Sequence, residues 1–292
     1  MSEGGGFKSI AIIGVGLIGG SLGMALKKEG VNSRISGIDR LNIIKKAITL
    51  GAIDTGTDDL VKGIQGADLI IIATPIGTIL KLLAKIAPHL KEKCLVTDTG
   101  STKTEIMNEA AHTLPDYVDF IGGHPMAGSE KFGIDAANAG LFKGKPYILI
   151  SQNKPGENSG YGKIFKLISR IGAHALKMSA CEHDRIAAAV SHLPQLIAIS
   201  LTNLSGFLAK NEDNENFFKA SGSAFEDMTR IASSSFEMWR DIFTTNNEVV
   251  IEMIGKFKRD LDEVERKLKK NPDCLKKDFA RANKFKALYK DS

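Results

Sequence analysis

The sequence predicts an α/β fold followed by an all-α region: a doubly wound, mostly parallel sheet and then a helical domain. Three observations carry this. An apolar stretch, Phe7 to Ile13, feeds a glycine-rich turn, an amphipathic segment and a second apolar run that ends at Asp39. Short apolar runs then alternate with helical spacings to about residue 178, the pattern of strands joined by crossover helices. From Ser179 onward the strand signal stops and only helical spacing remains.

The elements follow in order. After Asp39, Asn42 to Leu50 reads as a helix stopped by Gly51. The run LIIIAT after Ala67-Asp68 is a buried strand by its length and its isoleucines. Ile76 to Leu90 has helical spacing, Cys94 to Thr97 is a strand leading to Asp98, and Thr102 to Leu114 is again helical. Val118 to Ile121 and Tyr147 to Ile150 read as strands. A helix over Lys163 to Ile171 and a strand over His174 to Met178 complete a first domain over residues 7–178. The second domain, 179–292, holds a long helical pattern from Cys181 to Ala209 interrupted at Pro194. Helical segments over Ser223 to Ile231, Phe236 to Phe243 and Asn247 to Lys270 follow, with a last helix after Pro272.

Composition narrows the class. Of the 292 residues, 43% are hydrophobic, enough for a substantial core. No uninterrupted apolar run reaches about 18 residues, so no membrane span is expected. The start, MSEGGGF, lacks the basic and apolar regions of a signal peptide. Cys94, Cys181 and Cys274 are scattered without metal-ligand spacing, which points to a reducing cytoplasm and no metal. The net charge of +5 is local: basic residues are in excess from Lys256 onward. A broad nucleic-acid surface is not expected, and the lysine-rich end reads as the solvated face of helices.

The turn after the first strand carries specific chemistry. In G-x-G-x-x-G, Gly14 permits the tight turn, Gly16 admits a pyrophosphate and Gly19 lets the helix pack on the strand. Free N–H groups near Leu17 and Ile18 attract the phosphates. Asp39, about 20 residues past Gly19, suits the ribose hydroxyls. Like charge at that point repels a 2′-phosphate, so NAD is expected over NADP, although Arg40 beside it tolerates such a phosphate. This is a Rossmann-type dinucleotide site.

Three further clusters fall at strand ends. Ala73-Thr74-Pro75-Ile76 either braces the cofactor's ribose or is a plain turn. In Thr97-Asp98-Thr99-Gly100-Ser101-Thr102-Lys103, Asp98 and Ser101 are candidates to meet the cofactor. Ser101 also fits a helix N-cap, or a partner for a reacting hydroxyl. In Gly122-Gly123-His124-Pro125-Met126-Ala127-Gly128-Ser129-Glu130, two glycines allow close backbone approach. His124 is then either a structural histidine or a base that takes a proton as hydride leaves a neighbouring carbon.

The segments GVGLIGGSL, TDTGSTK, GGHPMAGSEK, VSHLPQ, DMTRIA and MWRDIF, in that order between Phe7 and Asn246, resemble the prephenate/arogenate dehydrogenase family of tyrosine biosynthesis. The resemblance implies a helical dimerisation domain, a homodimer and a cyclohexadienol substrate. It implies that His124 accepts the hydroxyl proton with Ser101 orienting it, and that Arg230 binds a substrate carboxylate, for which a planar guanidinium is suited. Ser129, Glu130, His192, Gln195, Asp227 and Trp239 are the further substrate-site candidates, with Glu130, Asp227 and Arg230 as an ionic gate. Without the resemblance, Arg230 reads as one half of a surface salt bridge and Trp239 as core packing. Gln195 departs from relatives that have histidine there, and glutamine cannot become cationic. Three alternatives stay open: arogenate in place of prephenate, a 3-hydroxyacid dehydrogenase or imine reductase of the same layout, and a non-catalytic NAD-sensing regulator.

Overall fold

A computed structural model describes residues 6–128, 131–151, 159–211, 216 and 218–290. The chain forms two compact units, Met1–Asn246 and Asn247–Ser292. The first opens with β1 (Ser9–Ile13), α1 (Leu17–Lys28), β2 (Arg34–Ile38), α2 (Leu41–Thr49), β3 (Thr55–Thr57), α3 (Leu60–Ile64), β4 (Leu69–Ile72) and α4 (Ile76–Ile86). It continues with β5 (Leu95–Asp98), α5 (Thr104–Thr113), β6 (Asp119–Pro125), β7 (Pro146–Ile150), α6 (Gly160–Arg170) and β8 (His174–Lys177). These strands form one sheet in the order β3-β2-β1-β4-β5-β6-β7-β8. All neighbours are parallel except β6 and β7.

Alternation along the central strands divides the core between the two faces of the sheet, because successive side chains point to opposite sides. Ile10, Ile12, Leu69 and Ile71 join one apolar cluster with Leu22 and Leu26 of α1. Ala11, Ile13, Ile70 and Ile72 join the other with Ile79 and Leu83 of α4. Helices on both faces are what a parallel sheet requires.

The expected boundaries shift where local pattern is weak. β3 and α3 are additions, since Thr55-Gly56-Thr57 has no apolar run. β6 extends past Ile121 to Pro125, so His124 lies within a strand rather than after it. Its first half pairs parallel with β5, and Gly122 to Pro125 pair antiparallel with Ile150 to Tyr147 of β7.

The same unit holds α7 (Ala180–Ala187), α8 (Leu193–Asn211), α9 (Ser223–Thr229) and α10 (Phe236–Thr245). A capping box opens α7: Ser179 Oγ accepts from Glu182 N at 3.2 Å. Between α7 and α8 the ladder widens to a π turn over Ala188–His192, just ahead of Pro194, which has no N–H to donate. Helix thus continues through the interruption that the proline suggests. The span Ala180–Lys210 is long and apolar enough to cross a membrane, although it contains no uniformly apolar run. Ile186, Val190, Leu204 and Phe207 are exposed along it.

Compactness therefore divides the chain at Asn246, whereas the change of sequence pattern falls at 178. Trp239 and Ile242 of α10 join the α4-side core, which ties these helices to the sheet. The second unit consists of α11 (Asn247–Lys270), a 3-10 turn over Pro272–Leu275 and α12 (Lys276–Lys290). Lys267 bridges to Asp278 at 2.7 Å within it.

Candidate active site

The first part of the site is the β1–α1 turn. Gly14 has φ 88°, a left-handed conformation that favours glycine, and a Cβ there would lie 2.5 Å from the Ala73 carbonyl oxygen. A Cβ on Gly19 would collide with the Gly14 carbonyl oxygen. Gly16 is different: a Cβ there would meet nothing within 4 Å, so the space beside it is open. Helix α1 begins at Gly16 with no side-chain cap and no acidic residue in its first turn, which leaves the N–H groups of Leu17 and Ile18 for an anion. Asp39, at the end of β2, accepts from Val15 N at 2.9 Å and from Arg40 N at 2.7 Å. The acid is thereby held beside the turn. Thr74 Oγ1, across from Gly14, is buried with no partner, a free polar group suited to a ligand; Pro75 begins α4 beside it. These residues fit a dinucleotide.

The second part is the loop from β5 to α5. Asp98 is fully buried and accepts from Gly100 N at 2.7 Å, from Gly123 N at 3.1 Å and from the Lys103 ammonium. Lys103 is equally buried and also donates to the Gly123 carbonyl at 2.7 Å. Asp98 therefore does not meet the cofactor, contrary to expectation; it straps β5, β6 and α5 together. Lys103 is likewise withdrawn from any substrate. The N-cap of α5 is Lys103, not Ser101, and Asp184 of α7 does the capping by accepting from Lys103 N and Thr104 N, both at 2.8 Å. Ser101 is left half-buried on the loop, outside the helix.

The third part is His124. The glycines ahead of it are needed because β6 runs tight against its neighbours: a Cβ on Gly123 would strike the Asp98 carbonyl oxygen, and one on Gly122 would lie 2.7 Å from Met107 Sδ. His124 Nδ1 lies 2.7 Å from His183 Nε2, and His183 Nδ1 lies 2.8 Å from Asp184 Oδ1. Burial, reinforced by His183, Lys103 and His192, holds the His124 imidazole well below the usual histidine pKa. It is therefore neutral at pH 7 and able to accept a proton. Burial also raises the Asp184 carboxyl, but its bonds from His183, Thr104 and Lys103 prevail and hold it ionised, below the ordinary value.

The helical segments complete the picture. His192 is buried in the π turn, where Asn246 Nδ2 donates to its Nδ1 at 3.3 Å and to the Asp184 carbonyl at 2.9 Å. Burial pushes the His192 pKa down to about 4 against the pull of Asp184. Trp239 packs edge-on against His192 and stacks on Phe243, and its Nε1 has no partner. Gln195, also buried, donates to the Ile231 carbonyl at 3.0 Å and so holds the 3-10 turn that Arg230 begins. Arg230 and Asp227 are exposed, and no ion pair of Arg230 is found among the described residues. Ser129 and Glu130 lie outside the described residues, and with them the expected gate. The sequence places His183 and Asp184 only as a weaker assignment at the opening of the helical domain and does not single out Asn246; the local signal is the polar pair His183-Asp184 itself, buried on a helix whose other face is exposed.

Two family models match this chain. One is described as the prephenate dehydrogenase nucleotide-binding domain, over residues 22–177. The other is the prephenate dehydrogenase dimerization domain, over residues 179–281. The prephenate dehydrogenase of Lactococcus lactis is 39% identical over 90% of this chain and 72% of its own length. The crystal structure of prephenate dehydrogenase from Aquifex aeolicus with hydroxyphenyl propionate and NAD⁺ is similar at TM-score 0.87 and 30% identity, covering 97% of this chain and 98% of that one. That of Synechocystis arogenate dehydrogenase is similar at TM-score 0.81 and 28% identity, over 96% of this chain and 99% of that one.

Proposed function

The chain belongs to the prephenate dehydrogenase family, and from that premise we propose how its own residues carry out the oxidative decarboxylation of prephenate to 4-hydroxyphenylpyruvate in tyrosine biosynthesis. The observation that carries the reading is a neutral His124 presented from β6 at the edge of the sheet where the β1–α1 turn opens. Bound NAD⁺ supplies the acceptor for hydride from C4 of the substrate. Gly14, Gly16 and Gly19, the N–H groups of Leu17 and Ile18, Asp39 and Thr74 hold that cofactor.

His124 takes the proton of the 4-hydroxyl as the C4–H bond breaks. The ring carboxylate then leaves as carbon dioxide, and His124 returns the proton to the phenolate oxygen as the ring becomes aromatic. Ser101 orients the hydroxyl. Arg230, with no ion pair among the described residues, binds a substrate carboxylate through its planar fork. Gln195 supports that arginine through the Ile231 carbonyl. His192 and Trp239 brace the wall behind.

The helical region from Ser179 onward serves as the substrate and dimerisation domain. The exposed Ile186, Val190, Leu204 and Phe207 and the dimerization-domain match support a homodimer there rather than a membrane span. Such an enzyme of amino-acid synthesis is placed in the cytoplasm, with no nucleic-acid partner.

Purified protein given NAD⁺ and either prephenate or arogenate, with NADH formation followed by absorbance, tests the activity. Faster turnover of arogenate would reassign the substrate within the family. His124→Asn should keep cofactor affinity and lose about 10²–10⁴ in turnover; near-normal turnover would remove His124 as the base.

A further inference from the structure

We propose that Asp184 and His183 are positioning residues that hold His124 in the tautomer with its proton on Nδ1, so that Nε2 faces the substrate as the acceptor. The inference rests on reading His124 as the base and adds the device that keeps it correctly protonated.

The direction of each hydrogen bond follows from the one before. Asp184 is committed as an acceptor at both oxygens, with Lys103 N at Oδ1 and Thr104 N at Oδ2. At 2.8 Å from His183 Nδ1 it can therefore only accept, so His183 carries its proton on Nδ1. With that one proton on Nδ1, His183 offers a lone pair at Nε2. His124 Nδ1 lies 2.7 Å from that lone pair and donates to it. His183 and Asp184 are 2% exposed, so water does not compete for these positions.

The chain Asp184–His183–His124 thus runs from the N-terminus of α5 to the reacting proton. When Nε2 takes that proton, the new imidazolium already has its Nδ1–H aimed at a ring backed by a carboxylate. No group has to turn to stabilise it. Neither His183 nor Asp184 touches the substrate; each acts through His124.

The tautomer is directly measurable. In protein labelled with ¹⁵N-histidine, the His124 signals should show a protonated Nδ1 and an unprotonated Nε2 near pH 7. A proton on Nε2 in the unmodified protein would overturn the proposal without reference to activity. Asp184→Asn lets the new amide donate to His183 Nδ1, which reverses both histidines and puts the His124 proton on Nε2. Its kcat should fall about 10²–10⁴-fold with KM for substrate within about threefold, the scale for a base in the wrong tautomer.

Because Asp184 also caps α5, a second pair of variants leaves the cap intact. His183→Leu should lower kcat on the same scale, and His183→Gln, whose amide oxygen can accept the same Nδ1–H, should recover at least tenfold of the loss. Equal activity of the two would overturn the proposal. Near-normal turnover of His124→Asn would instead overturn the base assignment, so the two failures are distinguishable.

Discussion

Lys103→Met removes one half of an ion pair whose members are both fully buried. Two costs follow. The Asp98 carboxylate loses its counter-charge, although Gly100 N and Gly123 N still hold it, and the Gly123 carbonyl loses the donor now at 2.7 Å. Breaking a buried pair from one side costs about 3–5 kcal/mol, because the remaining charge cannot return to water. For a chain of this size that lowers Tm by roughly 6–20 °C. Methionine fills most of the lysine volume, so packing contributes little. Thermal melts and urea titrations at neutral pH measure the loss. Adding Asp98→Asn to Lys103→Met removes the stranded charge and should return at least about 1 kcal/mol, a coupling only neighbours show. The same single variant should raise the His124 pKa, since Lys103 is among the groups that depress it, and move the acid limb of kcat to higher pH. A cost below about 1 kcal/mol, within the range of surface substitutions, would refute the strap between β5, β6 and α5.

Asp39→Ser should raise the use of NADP⁺ relative to NAD⁺, helped by Arg40, in paired kinetics with the two cofactors; an unchanged ratio would remove Asp39 from cofactor choice. Arg230→Ala should raise KM for substrate about 10- to 150-fold, the worth of roughly 1.5–3 kcal/mol for a hydrogen bond to a charged group. It should leave KM for NAD⁺ and the melting temperature nearly unchanged, with Arg230→Lys rescuing in part. Stability should fall on acidification below about pH 6.5, where an unfolded histidine begins to bind protons that the fold refuses. For His192, with its pKa near 4 in the fold, the loss runs from about pH 6.5 down to about 4 at up to roughly 1.4 kcal/mol per pH unit. Urea titrations across that range, with and without His192→Gln, measure it. The acid limb of kcat, by the same sign, should lie below the pH of a free imidazole, since burial holds His124 well below that value.

The sheet was legible because its strands are buried on both faces, and burial leaves runs of isoleucine that periodicity detects. The glycine turn was legible because its geometry permits few alternatives. The far half of β6 was not: Gly122 and Gly123 have no side chains to signal a strand, and their pairing is decided by β7, a distant segment. Asp98 misled for a related reason. A polar residue at a strand end reads as a ligand contact, and nothing local shows that it is satisfied by Lys103 in the interior. His183 and Asp184 sit 59 and 81 residues from the groups they bind on β6 and at the α5 start, so no window of sequence contains the pair.

Docking of the helical segments also explains where charge is wanted. Helices α1, α4 and α5 all start from strands at the carboxyl edge of the sheet, and each start carries partial positive charge. Asp184 closes the start of α5, and Asp241 closes that of α4 by accepting from Gly77 N at 2.9 Å. Thr102 and Thr245 hydroxyls meet at 2.6 Å between the loop ahead of α5 and the end of α10. The carboxylates that fix α7 and α10 against the sheet therefore cancel two of the three positive ends. The third, α1, begins after Gly16 with no acidic residue in its first turn and with the Asp39 carboxylate taken up by Val15 N and Arg40 N, which leaves the dinucleotide phosphates one attractive end. A substrate with two carboxylates then finds the ends of α4 and α5 already satisfied and Lys103 buried against Asp98. On the function proposed above, its binding charge comes from a cation that the fold has not used, and the candidate is exposed Arg230, which has no ion pair among the described residues.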